Sequence, residues 1–249
     1  MRPIKNKSVN IIPEKKLDVL FFAAHPDDAE LYCGGTILNF TMTGKKVGVI
    51  DLTKGELSTR GTVVSRKKES DAASKLLRIQ VRENLGIRDG NIILNEVNKK
   101  KIITAIRKHR PEIVFAPFPF DRHPDHIHAG NLIKECIFYS GLKKIITGKF
   151  KKYRPKRIFF YKSASDMPVS FIVDVSKTFA KKLEVLKCYS TQFHDPNSKE
   201  PETFISSKLF DKEIETRARY FGFKIGVEFG EPFYSYEPLS ISSDTMFSI

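Results

Sequence analysis

Apolar runs of strand length alternate along this chain with segments of helical period. Leu17–Ala24 is nearly continuous in apolar residues, the pattern of a strand buried on both faces of a parallel sheet. Ala29–Thr43 follows with apolar residues at Leu31, Ile37, Leu38 and Met42, which predicts a helix stopped by Gly44. Lys46–Leu52 reads as a second strand, and Ser65–Leu77 and Asn98–Arg110 as helices, the latter ended by Pro111. Ile113–Ala116 is a short buried strand. Pro124–Ser140 is helical, with proline in the first turn, where a missing N–H costs nothing. Arg157–Tyr161 and Phe171–Val175 read as strands and Lys177–Tyr189 as a helix. Beyond Thr191 the pattern is loop-like, with a helix near Ser207–Arg219 and an irregular tail.

This alternation predicts a single-domain, Rossmann-like three-layer α/β fold with a mostly parallel sheet. No Pro/Gly-rich linker divides the chain. Residues 17–249 therefore form one domain, preceded by a basic extension over 1–16. Two polar clusters interrupt the pattern. His25-Pro26-Asp27-Asp28 follows the first strand, and Asp121-Arg122-His123-Pro124-Asp125-His126 follows the Ile113–Ala116 strand. Ligands of open α/β sheets bind outside the carboxyl ends of the strands, so both clusters are expected on one rim.

Composition narrows the picture modestly. The chain has 249 residues, 41% hydrophobic and 29% charged, as expected of a globular protein. No apolar run approaches the ~20 residues of a membrane span, and the basic first residues lack the apolar stretch of a secretory signal. Three scattered cysteines argue against a disulfide framework and for a reducing cytoplasm. The net charge of +14 raises nucleic acid as a partner. The acid-free Lys143–Arg157 stretch, however, is too poor in aromatic residues for a base-stacking platform. A solvated lysine-rich surface, or attraction of an anionic small molecule, explains it as well.

His25 and Asp28 stand three apart, so a turn opening into a helix points them to one side, with Asp27 pointing elsewhere. His123 and His126 repeat the spacing. Together His25, Asp28, His123 and His126 are candidate ligands of zinc, with other divalent first-row metals nearly as suitable. A catalytic zinc uses three protein ligands and activates water. Asp27, beside a ligand but turned from it, suits a general base. Asp125 suits a helix cap or a partner orienting a histidine. His128, two beyond His126, is expected to face away.

HPDDAELYCGGT, DLTKGELSTRGT, Arg66 with Glu69, FAPFPFDRHPDH, LEVLKCYSTQF and RARYFGFKIGVEFGEPF together resemble the PIG-L/LmbE-like N-acetylglucosaminyl deacetylases, most closely their bacillithiol-pathway branch. The resemblance spans Leu17 to Pro238. It implies His25, Asp28 and His126 as zinc ligands and Asp27 as general base. His123 would stabilise the oxyanion or protonate the leaving amine. Arg66 and Asp89 fall where the family holds the sugar, although an ion pair with Glu69 and a turn are ordinary alternatives for them. Arg122 could meet an anionic aglycone. The mycothiol-type branch carries a tyrosine shortly before its second motif, where this chain has Asp121. The resemblance therefore implies a cytoplasmic, homo-oligomeric zinc deacetylase acting on a small N-acetylglucosaminyl substrate, N-acetylglucosaminyl-malate first, with no nucleic acid and no membrane. The alternatives are a deacetylase of another N-acetyl sugar and a basic nucleic-acid-binding protein with a relic metal site.

Overall fold

In the computed structural model, which describes residues 16–161 and 167–243, the first strand lies in the middle of the sheet. The elements run β1 (Val19–Ala23), α1 (Asp28–Met42), β2 (Val47–Asp51), α2 (Val63–Leu77), β3 (Val81–Asn84), α3 (Glu96–His109), β4 (Ile113–Pro117), α4 (Pro124–Ser140), β5 (Arg157–Tyr161), β6 (Phe171–Asp174), α5 (Phe179–Leu186), α6 (Lys208–Phe223) and β7 (Gly230–Tyr234). The sheet order is β3-β2-β1-β4-β5-β7-β6. β1 to β5 are parallel, while β7 runs antiparallel between β5 and β6.

The near-continuous apolar character of β1 is explained by its two covered faces. Val19, Phe21 and Ala23 enter one core layer together with α1, α2, α5 and α6. Leu20, Phe22 and Ala24 enter the other, under α3 and α4. This is the expected three-layer, single-domain α/β fold.

Two strands escape the hydrophobic pattern. β3 reads Val-Arg-Glu-Asn, because it is an edge strand and its Arg82 turns inward to Asp51 and Glu30. β7 reads Gly-Glu-Pro-Phe-Tyr, where the sequence predicts an irregular tail. Its Glu231 is buried, and it accepts from Gly35 N (3.0 Å), Thr36 N (2.8 Å), Thr36 Oγ1 (2.6 Å) and Lys182 Nζ (2.7 Å). That carboxylate ties β7 and α5 to α1. Gly35 permits the approach, since a Cβ there would stand 2.7 Å from the Val175 side chain.

The basic Lys143–Arg157 stretch connects α4 to the amino end of β5. It therefore lies at the opposite end of the sheet from the strand carboxyl ends. Its start is anchored by the buried Arg107, which donates to the carbonyls of Ser140, Leu142 and Ile145 and to Thr147 Oγ1. Its lysines face solvent. The basic extension, apart from Lys16, lies outside the described residues. No helix among the described residues is long and apolar enough to cross a membrane.

Candidate active site

β2 follows β1 on one side and β4 flanks it on the other, so strand order reverses between β1 and β4. The loops leaving these two strands open a crevice at that point. Both polar clusters lie there, as expected from the sequence. They line a cavity of about 410 Å³.

The chain leaves β1 through His25 and Pro26 and enters α1 at Asp28. Asp27 is the N-cap and takes φ 127°, a left-handed conformation that strains a non-glycine residue. The turn is held by His25 N–H donating to Asp28 Oδ2 at 2.8 Å. On the other side His123 caps α4, its Nδ1 accepting from Asp125 N at 3.2 Å. That bond leaves Nε2 as the N–H of a neutral His123 ring. Burial, then His25 and His126, push His123 below the ordinary histidine range. The rings of His25, His123 and His126 converge, with centroids 4.8 to 5.6 Å apart.

Two sets of donor atoms lie within 4.8 Å of one another: His25, Asp28 and His126, and His25, His123 and Asp125. The first set has the surroundings that a metal requires. Asp28 Oδ1 lies 3.2 Å from His126 Nε2, and Asp28 Oδ2 lies 3.5 Å from His25 Nδ1. The opposite nitrogens meet carboxylates, His126 Nδ1 donating to Asp121 (3.2 Å) and His25 Nε2 to Asp89 (3.1 Å). A carboxylate can only accept, so in its neutral form, the form that binds a metal, each ring keeps its N–H on the outer carboxylate and turns a lone pair inward. Ligating histidines are usually fixed in this way. In the second set His123 has already given its Nδ1 to a backbone N–H.

The field inside the first set favours positive charge. Burial works to lower His126, but Asp28 and Asp121 push it up to about 9. Burial likewise opposes charge on His25, yet Asp125, Asp28 and Asp89 raise it well above the ordinary range. Burial would raise Asp28, but His126 and His25 hold it well below the carboxylate range. Asp27 behaves oppositely. Burial pushes it up to about 7, against the Arg66 guanidinium and with the Asp28 charge adding to the rise.

Arg66 is buried beside Asp27 and is not a helix-surface residue. Its NH1 donates to Pro26 O (2.6 Å) and to Asp27 Oδ2 (3.1 Å), and its NH2 to Ser58 Oγ (3.2 Å). Glu69 stands 4.0 Å from its Nε. Asp89 is more than a turn residue, since Oδ1 meets His25 and Oδ2 accepts from Leu57 N at 2.9 Å. Both residues line the cavity, but their polar groups are engaged within the protein. Asp125 lies 3.4 Å from His25 Nε2 and accepts from Gly90 N. Arg122 is at the exposed rim, stacked on Phe204 with 3.9 Å between guanidinium carbon and ring centroid.

The sequence pattern misplaces His128, which lines the cavity rim instead of facing away. It also misses Asp121 as the partner of His126. Gln192, Phe204 and Ile205 come from the loop before α6 and carry no local signal. Tyr32, one turn beyond Asp28, reads as an ordinary apolar helix position.

A mostly parallel α/β sheet with a His/Asp donor cluster and a buried, Arg-held carboxylate at its switch point defines a candidate metal-dependent hydrolase. Residues 20–137 match the PIG-L model, described as GlcNAc-PI de-N-acetylase. A crystal structure of a conserved protein from Thermus thermophilus is 35% identical, covers 91% of this chain and 98% of its own, and superposes with a TM-score of 0.81. The diacetylchitobiose deacetylase of Thermococcus kodakarensis is 29% identical over 86% of this chain and 80% of its own length. A probable N-acetyl-alpha-D-glucosaminyl L-malate deacetylase 2 of Bacillus anthracis is 28% identical over 70% of this chain and 81% of its own. The chain belongs to the PIG-L/LmbE-like deacetylase family.

Proposed function

We propose that this protein is a zinc-dependent amide hydrolase that removes the acetyl group from an N-acetylglucosaminyl unit. The observation that carries the reading is the buried Asp27, held by Arg66 at 3.1 Å beside the His25, Asp28 and His126 donors. Those donors suit zinc, which supplies Lewis acidity toward a carbonyl and toward water. Asp27 accepts the proton of the attacking water, a task for which a value near neutrality is well matched. Passed on to the sugar nitrogen, the same proton allows the amine to leave. His123 presents its Nε2–H to the oxygen on which charge develops. Asp121 and Asp89 hold the rings of His126 and His25 in orientation.

The charge of the cavity bears on the aglycone. Asp27, Asp28, Asp89, Asp121 and Asp125 line it against Arg66 and Arg122. The basic Lys143–Arg157 stretch is at the far end of the sheet, beyond the ~8–10 Å over which exposed charges act at moderate salt. A neutral aglycone, as in N,N'-diacetylchitobiose, is therefore preferred. The malate conjugate is the second reading, favoured by Arg122 at the rim. Comparison of kcat/KM on the two substrates at low and moderate salt tests the choice. Equal or better use of diacetylchitobiose, insensitive to salt, is expected. A malate preference that shrinks with salt and with Arg122→Ala would establish the second reading instead.

A further inference from the structure

The inner end of the cavity is made by α1 itself. Leu31 and Tyr32 follow Asp28 by three and four residues, on the helix face that Asp28 presents. They are 3% and 7% exposed, whereas Leu57 and Phe204, also apolar and also lining the cavity, are 68% and 54% exposed at its mouth. The Tyr32 ring is fixed from two sides. It stacks on Tyr161, with centroids 6.0 Å apart and planes at 20°, and the Arg217 guanidinium carbon lies 4.8 Å from its centroid. Tyr161 is itself held by its hydroxyl, which donates to Phe22 O at 3.0 Å. Behind Tyr32 is a second, small void of about 10 Å³, bordered by Lys182, Ile214, Arg217 and Glu231. Among the described residues, Tyr32 alone lines both spaces.

We propose that the Tyr32 ring sets the acyl-length limit of the site, admitting acetyl and excluding longer acyl groups. The inference rests on the deacetylase reading. In that reaction the acyl carbon must lie between Asp27 and the Asp28 cluster. The sugar extends to the open mouth, so the acyl methyl points to the buried apolar wall formed by Leu31 and Tyr32. A further methylene then meets a ring held between Tyr161 and the Arg217 guanidinium. Close-packed walls discriminate single methylenes by about tenfold or more. Removal of the ring joins the cavity to the void behind it and makes room for a longer chain.

The test uses the full chain with its metal, and the N-acetyl, N-propionyl and N-butyryl derivatives of one glucosaminide. It reads kcat/KM for amine release, with metal content and thermal midpoint measured beside it. The unaltered protein and Tyr32→Phe are expected to prefer acetyl over butyryl by about a hundredfold, at about tenfold per methylene. Tyr32→Ala is expected to raise the butyryl-to-acetyl ratio at least tenfold. Tyr32→Leu, which keeps apolar bulk without the ring, should raise it less and serves if the alanine variant does not fold. An unchanged ratio in a folded, metal-bound Tyr32→Ala or Tyr32→Leu protein would overturn the proposal. So would a ratio altered as much by Tyr32→Phe, since the hydroxyl would then be the determinant. No amine release by the unaltered protein from any of the three would overturn the deacetylase reading, and this proposal with it.

Discussion

Replacement of Arg66 by methionine should move the pH dependence of the reaction without removing the metal donors. Arg66 NH1 lies 3.1 Å from Asp27 Oδ2, and both side chains are buried. At an effective dielectric constant of about 20, a charge pair at that distance is worth about 5 kcal/mol, an upper bound for a partly hydrated site. Relaxation and water entry reduce it, and a shift of about one to two pKa units in Asp27 is the working figure. Asp27 already sits near 7 with Arg66 present. Without Arg66 it should titrate near 8 to 9, so kcat/KM at pH 7, where about half of Asp27 is ionised in the unaltered chain, should fall about 5- to 50-fold. The loss should shrink as pH rises and the base ionises. The assay is kcat/KM for acetate release from pH 5.5 to 9.5, with metal content measured on the same protein. An acid limb at the same pH in Arg66→Met and in the unaltered chain would refute the assignment of Asp27 as a base controlled by Arg66.

The adjacent aspartates should separate by function. Asp27→Asn should keep its metal and lose deacetylation, while Asp28→Asn should lose metal, as read by elemental analysis; the reverse outcome exchanges their roles. Glu83 accepts from His109 Nε2 at 3.0 Å and pairs with Lys108, contacts that hold its carboxyl down at about 2, with burial opposing. A depressed carboxylate contributes stability above its unfolded value that is lost as pH falls through the folded one. The thermal midpoint of the unaltered chain should therefore exceed that of Glu83→Gln at neutral pH, and the gap should close between about pH 4.5 and 2. Arg107→Leu leaves buried carbonyls at the end of α4 without their donor and should cost at least ~3 kcal/mol in urea unfolding. A loss below ~1 kcal/mol would show that water replaces the guanidinium.

The frame of the fold was legible because β1 is buried on both faces and writes that burial as an unbroken apolar run, and β2 does so as far as its last residue, Asp51. β3 and β7 were not legible, because each uses a charged side chain as a tie. Arg82 reaches back to Asp51 and Glu30, and Glu231 reaches across to α1 and Lys182. A strand whose residues serve polar contacts loses the pattern by which strands are recognised. The site divides similarly. The convergence of His25, Asp27, Asp28, His123 and His126 on one crevice was readable, since the two motifs follow neighbouring strands. The partnership of Arg66 with Asp27 was not, because it joins positions on separate elements. Gln192 and Phe204 come from a loop fixed by tertiary contacts, such as Ser58 Oγ donating to Gln192 Oε1 at 3.0 Å. His128 fails for a different reason. Helical geometry turns it from His126, but the cavity is wide enough at the amino end of α4 to reach it.

Acetate release from N,N'-diacetylchitobiose before chelation, after chelation and after return of zinc is the most direct measurement of a metal-dependent de-N-acetylase. One acetate should appear with each amine freed, activity should vanish with the metal, and zinc should restore it. Release that persists in the fully chelated protein would contradict the role given to His25, Asp28 and His126. Absence of release from every N-acetylglucosaminide, with zinc bound, would contradict the reaction itself.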